Sequence, residues 1–290
     1  MFKGCATAIV TPFTKEGKID EAGLRELVEF QESGGVDAIV PCGTTGESAT
    51  LNFEEHLRII EIVIDQVKSA KVIAGTGSNA THEAVELSRS AHDMGADYLL
   101  SITPYYNKPT PKGMVKHFTT IAEAVDTPMI VYNVPSRTGV NLGPQTVLEL
   151  AQIPGIEGIK EASGSIVQAM EIIHGAPEGF SVLSGEDSMT FPIMAAGGQG
   201  VISVASNLVP NMISSMVGSM LQGDLEAARK LNSRLSKLFR HLFLETNPIP
   251  VKTALHMMGK PSGSLRLPMC EMEESNLEVL RGTLMDLGLI

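Results

Sequence analysis

The stretch from residue 129 to residue 160, MIVYNVPSRTGVNLGPQTVLELAQIPGIEGIK, contains one complete unit of the predicted fold. Two short runs rich in β-branched residues, 129–132 and 155–160, flank a segment, 144–151, whose apolar residues recur at spacings of three and four. This pattern predicts a strand, an amphipathic helix and a second strand. Because parallel strands need a crossover connection of this kind, we expect a βαβ unit.

The same alternation extends from this unit in both directions. The predicted strands are 6–10, 38–42, 72–75, 98–102, 129–132, 155–160, 180–184 and 200–204. The predicted crossover helices are 21–33, 53–69, 81–94, 113–125, 144–151, 165–174 and 187–196. Eight such units in roughly 200 residues indicate an α/β fold, a closed (β/α)₈ TIM barrel, with an open doubly wound sheet as the alternative.

After the eighth strand the alternation stops. The segments 207–222, 224–244, 250–258 and 274–287 read as helices alone. We therefore expect a catalytic barrel over residues 1–224 and a C-terminal helical domain over residues 225–290. No Pro/Gly/Ser-rich linker separates the two parts, so they are expected to pack rigidly.

Composition excludes several classes of function. The chain has 290 residues, is 43% hydrophobic and carries a formal net charge of −11. Nucleic acids and anionic membranes select clustered Lys and Arg, and no such cluster occurs. The N-terminal apolar run is too short for a signal peptide, and no apolar segment is long enough to span a bilayer. The expectation is a cytoplasmic protein with no nucleic-acid or membrane partner.

Metal binding is not indicated either. The neighbouring pairs His82–Glu83 and Glu55–His56 lack both the spacing and the third ligand of a metal site. The three cysteines have no CxxC spacing, so neither a zinc site nor a disulfide framework is expected. We predict no metal and no cofactor.

Residues at the ends of the predicted strands carry the chemistry. In a TIM barrel the active site lies at the carboxyl ends of the strands. Lys160 ends strand six and Tyr132 ends strand five, although taken singly they also fit a surface lysine and a core aromatic. An amine that is partly desolvated in a barrel mouth is a nucleophile for a carbonyl carbon, and an adjacent phenol can relay protons.

Two further groups are suited to carboxylates. The hydroxyls and main-chain N–H groups at Thr44 and Thr45 can bind a carboxylate, or they can simply form a capped turn. Arg137 lies in a turn that Pro135 and Gly139 delimit, and a guanidinium there is suited to bidentate carboxylate binding. An amine, a phenol and a guanidinium within two strands predict imine chemistry on an α-keto acid.

Motifs along nearly the whole chain point to one family. They are TAIVTPF (7–13), GTTGESATL (43–51), VIAGTGSN (72–79), TPYYNKPT (103–110), YNVPSRTG (132–139), GIKEASG (158–164), SGED (184–187) and NPIPVK (247–252). With them the chain resembles the class I, Schiff-base-forming aldolase and lyase superfamily, and within it the dihydrodipicolinate synthases. GTTGE and the lysine are typical of the superfamily, whereas the paired tyrosines and the SRTG ending are typical of the synthases.

The resemblance implies a reaction and roles for four catalytic residues. Pyruvate would condense with L-aspartate 4-semialdehyde through a lysine Schiff base to give 4-hydroxy-tetrahydrodipicolinate, the first committed step of the diaminopimelate route to L-lysine. Lys160 would form the imine. Tyr132, Thr44 and Tyr106 would form the proton relay, with Tyr106 reaching in from a neighbouring subunit.

The resemblance also implies binding residues and an assembly. Thr45 would hold the carboxylate of pyruvate and Arg137 that of the semialdehyde, while main-chain groups at Gly185 and Ile202 would line the site. The family pattern implies a homo-oligomer whose catalytic unit is a tight dimer, with two such dimers forming a tetramer.

A regulatory site follows from the same resemblance. In lysine-sensitive relatives the effector binds in the tight-dimer cleft, and the matching positions are Ser48, Ala49, His56, Asn79, Glu83 and Tyr105. Position 53 departs from that pattern, because it is Phe53 where many such relatives carry His or Trp. The expectation is weak or partial inhibition by L-lysine, with an ordinary polar interface as the alternative.

Two other functions remain open at this point. N-acetylneuraminate lyase and 2-keto-3-deoxygluconate aldolase share the residues that match Lys160 and Tyr132, although Arg137 and Tyr106 favour the synthase. A non-catalytic keto-acid-binding protein on the same barrel is the second alternative, and the presence of the lysine and of the whole relay speaks against it.

Overall fold

A closed barrel of eight parallel strands forms the centre of the computed structural model, which describes residues 1–290. The strands are β1 (Gly4–Ala8), β2 (Ala38–Val40), β3 (Lys71–Gly75), β4 (Tyr98–Ile102), β5 (Met129–Asn133), β6 (Ile156–Glu161), β7 (Ser181–Ser184) and β8 (Gly200–Ser203). Each strand pairs with the next, and β1 pairs with β8 through Gly4 and Gly200. The predicted (β/α)₈ barrel is confirmed, and the open sheet is excluded.

Twelve α-helices surround and extend the barrel. They are α1 (Glu21–Ser33), α2 (Phe53–Gln66), α3 (Thr81–Met94), α4 (Pro111–Ala122), α5 (Pro135–Thr138), α6 (Pro144–Leu150), α7 (Ile166–Gly175), α8 (Asp187–Ala195), α9 (Pro210–Leu221), α10 (Leu225–His241), α11 (Ile249–Met257) and α12 (Glu274–Leu287). Every predicted helix is present, and α1, α3 and α12 have the predicted ends.

Local signals explain where helices begin and end. At the start of α2, Asn52 and Glu55 form a reciprocal capping box that satisfies two main-chain N–H groups. Helix α3 ends at Gly95, whose φ of 93° is a left-handed conformation that glycine adopts at little cost. The Asn52 cap restricts the loop between β2 and α2 at the barrel mouth, whereas Gly95 ends α3 at the opposite end of the barrel.

The core has two layers that follow from the alternation of side chains along each strand. A cluster of 12 buried residues fills the barrel interior and includes Ile130 and Tyr132. A larger cluster of 52 buried residues, including Val131 and Ile159, lies between the strands and the helices. Tyr132 is the register partner of Lys160, so the lysine also points into the barrel.

Several predicted bounds differ from the structure by two or three residues, and three local differences have a clear cause. Strand β1 begins and ends two residues earlier than predicted, because Gly4 already pairs with Gly200. Helix α9 begins at Pro210 and not at residue 207, since Asn207 ends a 3₁₀ turn and its amide donates to the main-chain oxygen of Ala8. Helix α5 was not predicted, because its four residues are too few for a periodic pattern.

The C-terminal helices form a layer beside the barrel. Helix α10 packs against α8 and α9, and α12 packs against α10 and α11. His241 and Thr283 join α10 to α12 through a hydrogen bond of 2.6 Å. The division at residue 225 into two domains stays a prediction. None of the helices is long and apolar enough to cross a membrane.

Candidate active site

A cleft of about 1000 Å³ opens at the carboxyl ends of the strands. Five elements bring their predicted residues to it, because the strands of a parallel barrel all end at the same mouth. The predicted residues that line it are Thr44, Thr45, Tyr132, Arg137, Lys160 and Gly185. The cleft therefore unites most of the catalytic and substrate-binding residues expected from the sequence.

Lys160 and Tyr132 form the floor of the cleft. Lys160 Nζ lies 4.1 Å from the centroid of the Tyr132 ring, and both residues are about 95% buried, with 5% and 6% of their surfaces exposed. The Lys160 amine forms no salt bridge and no hydrogen bond with any protein group. It is therefore a desolvated amine without a carboxylate partner, which leaves it available to a ligand.

The loop after β2 contributes Thr44 and Thr45. Thr45 is buried, and its Oγ1 accepts a hydrogen bond of 2.9 Å from Nδ2 of Asn247. The loop is also held by the segment after β1, because Thr11 Oγ1 donates to the main-chain oxygen of Gly46 at 2.7 Å. These contacts hold the two threonines against the cleft.

Arg137 lies on the short helix α5 at the cleft wall. Pro135 begins this helix, and Gly139 ends it with a φ of 73°. Arg137 Nη2 donates to the main-chain oxygen of Asn247 at 3.0 Å, and the residue as a whole is exposed. An exposed guanidinium that is held at one edge can bind a carboxylate with its other N–H groups.

Gly185 and Asp187 form the wall behind Lys160. A Cβ at Gly185 would lie 3.0 Å from Lys160 Cγ, so glycine leaves the room that the lysine stem occupies. Asp187 is fully buried and accepts hydrogen bonds from the main-chain nitrogens of Val204 and Ala205. Burial raises the pKa of Asp187, while these donors and the Lys160 charge oppose the rise.

Two predicted site residues are not in the cleft of their own chain. Ile202 is fully buried in the barrel interior and does not line the cleft. Tyr106 is 90% exposed in the loop after β4, with a φ of 71° that non-glycine residues rarely adopt. Its phenol does not meet Tyr132 or Thr44 within one chain.

A second cleft, of about 740 Å³, contains most of the predicted effector positions. Those that line it are Ser48, Ala49, His56, Glu83 and Tyr105, together with Phe53. Asn79 lies outside it and donates to the main-chain oxygen of Tyr105 at 3.1 Å. His56 Nε2 contacts the main-chain oxygen of Gly75 at 2.6 Å, and burial lowers the His56 pKa.

Sequence reasoning missed residues of the C-terminal layer. The end of α10 and the segment after it supply Phe239, Arg240, Phe243, Leu244, Glu245, Thr246 and Asn247 to the active-site cleft. The motif NPIPVK was recognised, but nothing in one sequence connects Asn247 with Thr45 across the fold. The only local signal at Asn247 was that an Asn–Pro pair stands directly before a helix.

Glu47 and Lys252 were missed for the same reason. They form a salt bridge of 2.6 Å in which both side chains are only 2% exposed. Glu47 has a left-handed φ of 55°, and its second carboxylate oxygen accepts from the Arg266 main-chain nitrogen at 3.1 Å. The pair connects the loop that carries Thr45 to α11.

Known proteins match this chain over their full or nearly full lengths. The model of the dihydrodipicolinate synthetase family matches residues 1–287. The chain belongs to this family. The 4-hydroxy-tetrahydrodipicolinate synthase of Geobacter sulfurreducens is 54% identical over 100% of both chains.

Solved structures of family members have the same fold over nearly their whole lengths. The chloride-inhibited synthase of Acinetobacter baumannii, crystallised with pyruvate, is 44% identical, has a TM-score of 0.98 and covers 100% of both chains. The enzyme of Cyanidioschyzon merolae with lysine bound is 39% identical, has a TM-score of 0.97 and covers 100% of this chain and 99% of the other.

Proposed function

We propose that this chain condenses pyruvate with L-aspartate 4-semialdehyde, with Lys160 as the Schiff-base residue, to give 4-hydroxy-tetrahydrodipicolinate. Membership of the synthase family over the full length supports this reaction. The observation that supports the assignment of Lys160 is its buried amine, which faces the Tyr132 ring and forms no salt bridge or hydrogen bond with a protein group.

The first half of the reaction needs a nucleophilic amine and a proton relay. The neutral amine of Lys160 attacks the keto carbon of pyruvate, and water leaves as the iminium forms. The iminium draws electrons from the adjacent methyl group, whose carbon therefore loses a proton. That carbon, the former keto carbon and the lysine nitrogen then form an enamine. Tyr132 lies beside the amine and Thr44 lines the same cleft, and both hydroxyl groups are suited to carry these protons.

The second half joins the two substrates. The enamine carbon attacks the aldehyde carbon of the semialdehyde, and the aldehyde oxygen takes up a proton. The α-amine of the semialdehyde then attacks the imine carbon and displaces Lys160, which closes the ring and regenerates the free lysine. Thr45 would hold the carboxylate of pyruvate and Arg137 that of the semialdehyde. Both residues contact Asn247, Thr45 through its side chain and Arg137 through its main-chain oxygen.

Tyr106 is proposed to act in the cleft of a second copy of the chain. Its side chain is 90% exposed, and the loop holds it out in a left-handed conformation that costs on the order of 1 kcal/mol. A tight dimer in which each copy supplies Tyr106 to the other would complete both relays. Mixed dimers of Tyr106→Phe and Tyr132→Phe chains should then recover activity that each variant lacks alone.

A coupled assay tests the reaction directly. Purified protein is given pyruvate and L-aspartate 4-semialdehyde with the reductase that consumes the product, and product formation is followed. Parallel samples receive N-acetylneuraminate or 2-keto-3-deoxygluconate. Turnover only with the first pair supports the proposal, whereas cleavage of either sugar acid in place of that turnover would assign the chain to a sister aldolase.

The second cleft supports a regulatory proposal, that L-lysine binds there and inhibits weakly. Glu83 is suited to an ammonium group, although its Oε2 already accepts from Ser78 Oγ at 2.7 Å. Phe53 is 40% exposed and offers an apolar wall to the effector's stem. Calorimetry with L-lysine at millimolar concentration tests this, with Glu83→Ala as the variant expected to lose binding while uninhibited turnover persists.

A further inference from the structure

Asn247 lies between the two residues proposed to bind carboxylates. It precedes α11, and it lines the active-site cleft. Its side chain donates to Thr45 Oγ1 at 2.9 Å, and its main-chain oxygen accepts from Arg137 Nη2 at 3.0 Å. A single residue of the C-terminal layer thus contacts both groups.

The Asn247 amide nitrogen faces Thr45, while its Oδ1 is buried and accepts from no protein group. An amide nitrogen can only donate, so Thr45 Oγ1 is the acceptor in this bond. A threonine hydroxyl has one hydrogen of its own, and Thr45 donates it to no group of the protein. That hydrogen remains free for an acceptor in the cleft.

Both partners of the hydrogen bond between Asn247 and Thr45 are buried, which increases the effect of its direction on a bound anion. Thr45 is 2% exposed and Asn247 is 4% exposed, so water does not compete freely for either group. A hydroxyl that donates to an anion in such surroundings forms a stronger bond than a neutral pair in water does. The Thr45 hydroxyl is therefore prepared as a donor to a carboxylate before the ligand arrives.

The backbone around Thr45 is held independently of Asn247. Thr11 anchors the oxygen of Gly46, and the buried pair of Glu47 and Lys252 anchors the end of the loop. A change at the Asn247 side chain should therefore alter the hydroxyl of Thr45 and leave the loop in place.

We propose that Asn247 is a positioning residue for the α-keto acid: its side-chain amide keeps the Thr45 hydroxyl as a donor toward the keto acid's carboxylate. This inference rests on the proposed function. Because Arg137 is held by the main-chain oxygen of Asn247, side-chain variants should affect pyruvate and spare the semialdehyde.

Asn247→Asp tests the direction of the bond with almost no change of shape. The introduced carboxylate can only accept, so the Thr45 hydroxyl would turn toward it and no longer donate to pyruvate. The affinity for pyruvate is read from the pyruvate dependence of inactivation by borohydride, which traps the imine. We expect a loss of roughly tenfold to a hundredfold, with the KM for the semialdehyde changed less than about threefold.

A double-mutant cycle with Thr45→Val separates positioning from simple charge repulsion. If Asn247 acts through the Thr45 hydroxyl, Asn247→Asp should cost much less in the Thr45→Val background. If the introduced charge repels pyruvate directly, the loss will be equal in both backgrounds, and the inference is wrong. Should Asn247→Asp not fold, as judged by circular dichroism, Asn247→Ala replaces it in the same cycle with a smaller expected loss.

Trapping experiments on the wild-type protein separate failure of the proposed reaction from failure of the positioning role of Asn247. If pyruvate and borohydride leave no adduct on Lys160 of the wild type, the proposed function itself fails and takes this inference with it. If the wild type is trapped normally and the Asn247 variants show an unchanged pyruvate dependence, only the positioning role is overturned.

Discussion

Two lysines are buried in this protein, and they lie in opposite surroundings. Lys252 donates to Glu47 at 2.6 Å, to the oxygen of Ser264 at 2.7 Å and to that of Thr11 at 3.0 Å, so all three of its N–H groups are used. Lys160 is equally removed from water but donates to no protein group and faces the ring of Tyr132. The two lysines are alike in burial and differ in their partners, because the amine of Lys252 is fully hydrogen-bonded and that of Lys160 has no hydrogen bond within the protein.

The electrostatics of Lys252 agree with a structural role. Burial lowers its pKa, and the charge and hydrogen bond of Glu47 oppose that change. An ammonium whose three donors are satisfied gains nothing by releasing its proton to react. We therefore interpret Lys252 as a fixed connection and Lys160 as the nucleophile.

The largest expected effect concerns the nucleophile. Lys160→Arg keeps the positive charge but cannot form an imine, so turnover should fall by several orders of magnitude. Pyruvate with borohydride should modify Lys160 in the wild type and nothing in the variant, as located by peptide mass spectrometry. An adduct on Lys252 would reverse the assignment of the two lysines.

The next effect concerns stability. Lys252→Met leaves the Glu47 carboxylate buried without its partner, and the free energy of unfolding should fall by about 3–5 kcal/mol. Urea denaturation measures this. The matched control is Lys237→Met, because the Lys237–Asp286 pair is 62% exposed on both sides and should contribute less than about 1 kcal/mol. Equal losses for the two variants would contradict a special role for the buried pair.

A variant of Arg137 tests whether imine formation on Lys160 is independent of binding of the second substrate. Arg137→Ala should reduce kcat/KM for the semialdehyde by roughly a hundredfold, about 3 kcal/mol, because a bidentate partner of its carboxylate is lost. Trapping of pyruvate should survive. Arg240→Ala is the control, since Arg240 is a second guanidinium of the same cleft; a larger loss there would move the carboxylate site.

The smallest effect comes from crowding the lysine. Gly185→Ala places a methyl group 2.7 Å from Ala162 Cβ and 3.0 Å from Lys160 Cγ, so the backbone at one of the two alanines must move and the lysine stem must shift by a few tenths of an ångström. Imine formation should slow by about tenfold, or 1.4 kcal/mol. Gly218→Ala, which meets nothing within 4 Å, is the control and should leave the rate of trapping unchanged.

The sequence was sufficient for the parts of the fold that depend on local periodicity. Strand β4 and helices α1, α3 and α12 have the predicted bounds, because apolar spacing and end signals agree there. The convergence of Lys160, Tyr132 and Thr45 was also predictable, since strand ends of a barrel meet at one mouth.

Contacts between residues that are distant in the sequence were not predictable. Neither Glu47 nor Lys252 has a local signal that reveals its partner, and Asn247 contacts Thr45 only because α11 packs onto the barrel mouth. The exposure of Tyr106 was likewise outside the reach of periodicity, because a left-handed loop residue belongs to no repeating pattern. The roles assigned to these residues stay predictions until the variants are measured.

The salt bridge between Glu47 and Lys252 also has a consequence for the time at which the protein becomes functional. Its two residues are 205 positions apart, so the loop beside Thr45 emerges from the ribosome long before the lysine that anchors it. During synthesis, an unanchored loop would carry a carboxylate that has nothing to pair with. The keto-acid site should therefore mature last, after nearly the whole chain has been released, and a nascent chain ending before α11 should have a barrel without a working mouth.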